Sequence, residues 1–139
     1  RYKIGERSDS DWLQIELSEA QRVVSFGGDS FDSILLRTNG FTIDPAKSFD
    51  LRAKIREALL IPPDGHTGIT LDSLATANGL PRKLTDASGA MAPVLWQRGE
   101  REKVLAGCSR DTRIVRLIYL LAQRGPIMLP GGGMVRIEI

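Results

Sequence analysis

The 139-residue chain has 42% hydrophobic and 26% charged residues, the make-up of a single globular domain long enough to bury a core. Nineteen Lys and Arg against 17 Asp and Glu leave a formal charge of +2, so no global field announces a nucleic-acid binder and such a role must rest on a local patch. One cysteine, Cys108, and one histidine, His66, exclude an internal disulfide and a zinc site built from several Cys and His, and no window approaches the roughly 18 apolar residues of a membrane span. A reducing, cytoplasmic setting is the expectation from cysteine usage. The chain opens on Arg1 rather than Met, which reads as a piece of something longer or a processed product.

After a polar lead-in over residues 1–10, Trp12, Leu13, Leu17 and Ala20 recur at helical spacing, with Ser10 or Asp11 as N-cap. "RVVSFGG" predicts a short buried strand stopped by glycine. "DSFDSILLRTNG" predicts a short helix with Phe31, Ile34 and Leu35 on its apolar face and Asn39-Gly40 at its end. Pro45 marks a loop, followed by an extended piece ending near Asp50. Leu51, Ile55, Ala58 and Leu59 give the next helix its apolar stripe. "IPPDGHTG" is a loop, and "ITLDSLATANGL" a short helix with Thr70 or Asp72 near its start and Gly79 at its end. A polar loop, "PRKLTDASG", leads into the longest helical region, which Gly99 is expected to break. Its last helix carries Ile114, Leu117, Ile118 and Leu121 before Gly125-Pro126. "PIMLPGGGMVRIEI" predicts a hairpin. Mostly helical with a few short strands, the chain is of the α/β or α+β class.

Nucleophilic catalysis finds little support, because Cys108 and His66 share no local signature. Cys108 is expected to be a small buried residue at a helix junction, His66 a surface loop residue, and Trp96 a core or junction residue. The glycines of "PGGGM" lack the Lys-Ser/Thr and the following helix of a phosphate loop. Two carboxylates stand out. Asp32 follows a strand and a double glycine, and Asp111 is expected near the start of an amphipathic helix after "AGCSR". Either position suits an acid at a helix N-terminus without any function. Two carboxylates far apart in sequence can also be half of a two-metal site.

The order of segments resembles the second and third parts of a DEDD-type 3′–5′ exonuclease domain of the ribonuclease H-like fold, in the variety attached to some bacterial helicases. "VVSFGGDSFDSILL" is similar to that family's strand–turn–helix with Phe-Asp, here Phe31-Asp32. "GITLDSLATANGLPRK", "LWQRGE" and "GCSRDTRIV" resemble its Ser/Thr-Leu-Asp-x-Leu-Ala helix, Gly-x-x-Lys loop, Trp-x-x-Gly element and Tyr-Cys-x-x-Asp motif. "MVRIEI" resembles its closing strand. The resemblance implies an α/β, ribonuclease H-like domain over residues 1–139, with an incomplete mixed sheet, flanking helices and no N-terminal strands. It implies a metal-dependent exonuclease acting on DNA or RNA, with Mg²⁺ or Mn²⁺ held by Asp32 and Asp111. Arg82, Lys83, Arg110 and Arg113 are the basic candidates for nucleic-acid contact. Other domains or subunits of a larger protein are the expected partners, and no membrane.

Three departures open a second reading. No Asp-x-Glu strand precedes Arg22, Gly27 stands for the family's Asn, and Gly107 stands for its Tyr, where glycine can do no acid–base work. The alternative is a catalytically dead module that binds nucleic acid or protein within a larger assembly.

Overall fold

The computed structural model describes residues 9–30, 32–85 and 89–139. The chain falls into two compact units, Arg1–Ala53 and Lys54–Ile139.

In the first unit, α1 (Asp9–Glu19) leads to β1 (Val23–Ser25), a 3-10 turn over Gly28–Ser30, α2 (Asp32–Thr38), a second 3-10 turn over Pro45–Lys47, and β2 (Ser48–Asp50). The strands β1 and β2 pair in parallel, Val23 opposite Ser48, Val24 opposite Phe49 and Ser25 opposite Asp50. Parallel strands cannot be joined by a tight hairpin, and here the crossover contains α2. Reciprocal amide bonds hold α1 to that crossover. The Gln14 side chain donates to the Thr42 carbonyl at 3.2 Å and accepts from the Thr42 N–H at 2.9 Å. Lys47 Nζ donates to the Ser18 carbonyl at 2.6 Å. Phe49 and Leu17 are buried, and the Arg22 guanidinium lies 5.1 Å from the Phe49 ring centroid.

The apolar faces expected of α1 and α2 are only partly covered. Leu17 is buried, but Trp12, Leu13, Ile34 and Leu35 are exposed. Both helices are short, and helical spacing fixes which residues share a face without fixing whether a partner covers it. Phe31, expected on the α2 face, lies outside the described residues.

Asp50 ties this unit together. It is the buried acid at the end of β2, and one carboxylate accepts from four backbone N–H groups. Two belong to the turn after β1: Gly27 at 2.8 Å and Asp29 at 3.1 Å. The other two, Arg52 at 2.9 Å and Ala53 at 3.3 Å, open α3 (Leu51–Ala58), so Asp50 also serves that helix as an N-cap would. Gly27 takes φ 78, a left-handed conformation that turns the chain after β1 and aims its N–H at Asp50. Gly28 is required by space. A Cβ there would sit 2.5 Å from both Cβ and Oγ of Ser25.

In the second unit, Thr70 caps α4 (Leu71–Ala77) through a reciprocal capping box with Ser73. α5 (Ala92–Gln97) and α6 (Arg101–Arg124) follow on either side of Gly99, where the break was expected. α6 packs on α4, α5 and β3 (Ile127–Met128). Its fully buried residues are Ile114 and Ile118, with Ala122 a turn further on; Leu117 and Leu121, expected in the same stripe, are half-buried. Leu74 and Ala75 of α4, Leu95 of α5, and Ile127 are buried as well, as are Ile55, Ile69, Leu71, Val135 and Ile137. β3 and β4 (Met134–Val135) form the expected antiparallel hairpin, with Ile127 opposite Val135. Its turn runs through Gly131, Gly132 and Gly133 at φ 85, 102 and 86, a succession that only glycine adopts without strain. The closing strand expected from "MVRIEI" is confined to Met134–Val135. Asn78, the α4 C-cap, donates to the Met128 carbonyl at 2.9 Å and accepts from the Met128 N–H at 3.0 Å, so helix end and strand are joined by one side chain.

Asp50→Ala leaves buried N–H groups without an acceptor and uncaps α3, so it should lower unfolding stability by about 2–4 kcal/mol in a urea titration followed by circular dichroism. Asp50→Asn, which keeps one acceptor oxygen, should fall between. Gly28→Ala should cost about 1–3 kcal/mol by overpacking against Ser25, and Ser25→Gly in the same chain should recover part of that loss.

Candidate metal and nucleic-acid site

Asp32 is the first residue of α2 in the first unit, immediately beyond the turn that Asp50 fixes, and it is exposed. The sequence builds this position in three steps: a β-branched strand, a glycine turn clamped by Asp50, and a helix that starts on the acid. Among the described residues no hydrogen bond or ion pair engages its carboxylate, so its oxygens are available to a ligand.

Asp111 belongs to the second unit, and its setting differs from the expected one. It does not open a helix. α6 already begins at Arg101, and Asp111 lies midway along it. The small residues of "AGCSRD" are absorbed into a continuous helix whose start is set by the Gly99 break. No helix N-terminus therefore stabilises this carboxylate. Its partner is Lys83, whose Nζ lies 2.7 Å from Asp111 Oδ2, with both side chains about one-third exposed (32% and 35%).

Lys83 is in turn placed by Asp72 on α4. The Asp72 carboxylate accepts from the Lys83 backbone N–H at 2.9 Å and from Arg82 Nη2 at 2.8 Å and Nε at 3.3 Å. The Arg82 fork, and after it the Lys83 N–H, hold the Asp72 carboxyl below its ordinary value, while Asp72 raises Arg82. Two of the four basic candidates, Arg82 and Lys83, are thus engaged by carboxylates. Arg110 is half-buried beside Asp111, and Arg113 is exposed. Arg113 shares a shallow depression on α6 with Ser109, Thr112 and Arg116. Arg116 was not singled out from sequence, although its helical spacing from Arg113 was the available signal.

Gly107, which the resemblance sets where a Tyr is expected, is buried in α6. Cys108 beside it is exposed, against the expectation of burial, because its side of α6 is left open. Trp96 is also exposed, with the Arg101 guanidinium 4.8 Å from its ring centroid, and so is not a core residue. His66 is an exposed loop residue as expected.

Asp32 and Asp111 are donors of the right type for a hard divalent cation, which takes oxygen ligands. Among the described residues no three His, Cys, Asp or Glu side chains group closely enough to hold a metal ion.

The family model described as the RNase_H superfamily matches residues 4–110, and the chain belongs to that superfamily. Its mixture of helices and small sheets fits an α/β fold of this nuclease-like kind. No curated protein and no solved structure matches. Among the described residues no helix is long and apolar enough to cross a membrane.

The lowered Asp72 fixes a sign for pH dependence. A depressed folded value adds stability that is fully present above the ordinary aspartate value, about 3.9, and is lost as pH falls through the lower folded value. Asp72→Asn should therefore flatten the acid limb of a stability–pH curve below about pH 4, read by thermal melting, with little change in the slope near neutrality.

Proposed function

We propose that the chain is a nuclease-type domain of DEDD kind that removes nucleotides from the 3′ end of DNA or RNA with Mg²⁺ or Mn²⁺. The observation that carries this reading is the pair formed by the superfamily match and Asp32's position. The match spans the strand–turn–helix segment, and within it a buried carboxylate and two glycines present an exposed, unengaged acid. Asp32 in the first unit and Asp111 in the second are each read as a carboxylate ligand. When bound, a divalent ion supplies an activated water and neutralises charge on the leaving 3′ oxygen. The chain's own basic residues do the remaining work of binding. Arg110, Arg113 and Arg116 meet phosphates, and Lys83 and Arg82 lie in the loop next to Asp111. Such contacts carry affinity rather than sequence preference.

A second reading, a non-catalytic module that binds nucleic acid or protein inside a larger assembly, is favoured by two observations. Asp111 is occupied by an ammonium, and buried Gly107 leaves no side chain to orient a water. Cytoplasmic location and association with helicase-type partners belong with either reading.

Incubation with a 3′-labelled single strand and Mn²⁺ separates the two. The nuclease reading predicts mononucleotide release that Asp32→Asn and Asp111→Asn each abolish. Unchanged substrate, with binding intact, supports the module instead. In either case Arg113→Ala and Arg116→Ala should weaken binding of single strands and make the salt dependence shallower, by about 0.7 for each phosphate that is no longer neutralised.

A further inference from the structure

The first unit holds a cleft of about 280 Å³ between α2 and the crossover segment that leads to β2. On the helix side it is lined by Ser33 and Arg37, one turn apart on the same face of α2, with Asp29 in the 3-10 turn ahead of them. Phe41, Ile43 and Ser48 line the facing side. Ser48 Oγ donates to Asp29 Oδ1 at 3.4 Å, so the two sides meet at Asp29. Arg37 lies roughly two helical turns beyond Asp29. Asp32 precedes Ser33 in the chain but does not line the cleft.

The polar groups here are unspent. Among the described residues no hydrogen bond or ion pair engages the Arg37 guanidinium or the Ser33 hydroxyl. The neighbouring charges have partners of their own: Lys47 donates to the Ser18 carbonyl, and Asp44 accepts from the Ala46 N–H. Phe41 and Ile43 are half-buried and keep part of their apolar surface open. A guanidinium fork asks for an anionic group, and a phosphate suits it best. An aromatic and a branched side chain ask for a flat ring. The Asp29 carboxylate asks for hydroxyl or amino donors. The volume lies just below the roughly 300–1,000 Å³ of small-molecule sites, which leaves room for one small ligand and not for a run of nucleotides.

We propose that this cleft binds a free nucleoside monophosphate, with Arg37 on the phosphate, Phe41 and Ile43 against the base, and Asp29 accepting from ribose or base donors. The choice of a nucleotide among ring-bearing anions rests on the nuclease reading, whose product is such a molecule. The cleft itself uses neither of the acids assigned to that chemistry.

Titration of adenosine 5′-monophosphate into the full 139-residue chain without metal, followed by amide chemical shifts, tests this. Amides along α2 and residues 41–48 should move, with a millimolar Kd. Arg37→Gln should weaken binding about fivefold, the scale of one exposed ion pair. Phe41→Leu, which keeps the side apolar but removes the aromatic face, should weaken it about threefold. Adenosine should bind more weakly and be indifferent to Arg37→Gln, and inorganic phosphate should bind more weakly and be indifferent to Phe41→Leu. Amides that stay still, or an affinity that neither substitution changes, overturn the proposal. So does an equal response to inorganic phosphate, which would make this a plain anion site. Since neither metal nor turnover enters, these failures leave the nuclease reading standing. A labelled strand left uncut while the monophosphate still binds overturns that reading alone.

Discussion

A buried carboxylate can survive in a fold only if its oxygens are filled, and Asp50 fills them with four backbone N–H groups from two places in the chain. That constraint organises the first unit. It fixes the turn after β1, starts α3, and sits at the end of the strand pair, where Ser25 faces Asp50. Gly27 serves it directly, and Gly28 lets the same turn pass the end of β1. One must take a left-handed conformation to deliver its N–H, and the other must lack a side chain to pass Ser25. Asp32 inherits its position from this turn. The exposed acid that carries the functional proposal follows a turn held by a buried acid.

The second unit uses carboxylates differently. Asp72 and Asp111 are partly exposed and face cations, and the same loop supplies both partners. Exposed pairs of this kind contribute little stability, because water and salt screen them. Their significance is positional. They decide which charges in the loop are spoken for and which on α6, Arg113 and Arg116, stay open to solvent. Membership of the RNase_H superfamily gives this arrangement a functional frame.

Much of this was legible in the sequence. The strand–glycine–helix order, the Thr70 start of α4, the Gly99 break and the C-terminal hairpin all follow from short-range chemistry: β-branching, capping and glycine stops. Asp50 was within reach, since an Asp directly before a helical stripe beginning at Leu51 is an N-cap signal. Its second duty, to the turn some twenty residues earlier, has no local signature. The Asp72, Lys83 and Asp111 chain was not legible for the same reason. It depends on which loop lies against which helix. Asp111 was misplaced toward a helix start because small residues before it looked like a break, whereas a helix already running from Arg101 passes through Gly107 and Cys108 without interruption. Exposure of Trp12, Ile34 and Trp96 shows the other limit of periodicity, which names a face but not its cover.

The central claim is that Asp32 and Asp111 are both metal ligands, although one is open and the other ion-paired. Paramagnetic broadening of backbone amide signals by substoichiometric Mn²⁺ tests it most directly. The account predicts strong broadening around Asp32 and around Asp111, with the rest of α6 much less affected and Mg²⁺ competing the effect away. Broadening at only one of the two carboxylates, or spread evenly over the acidic surface, would contradict it.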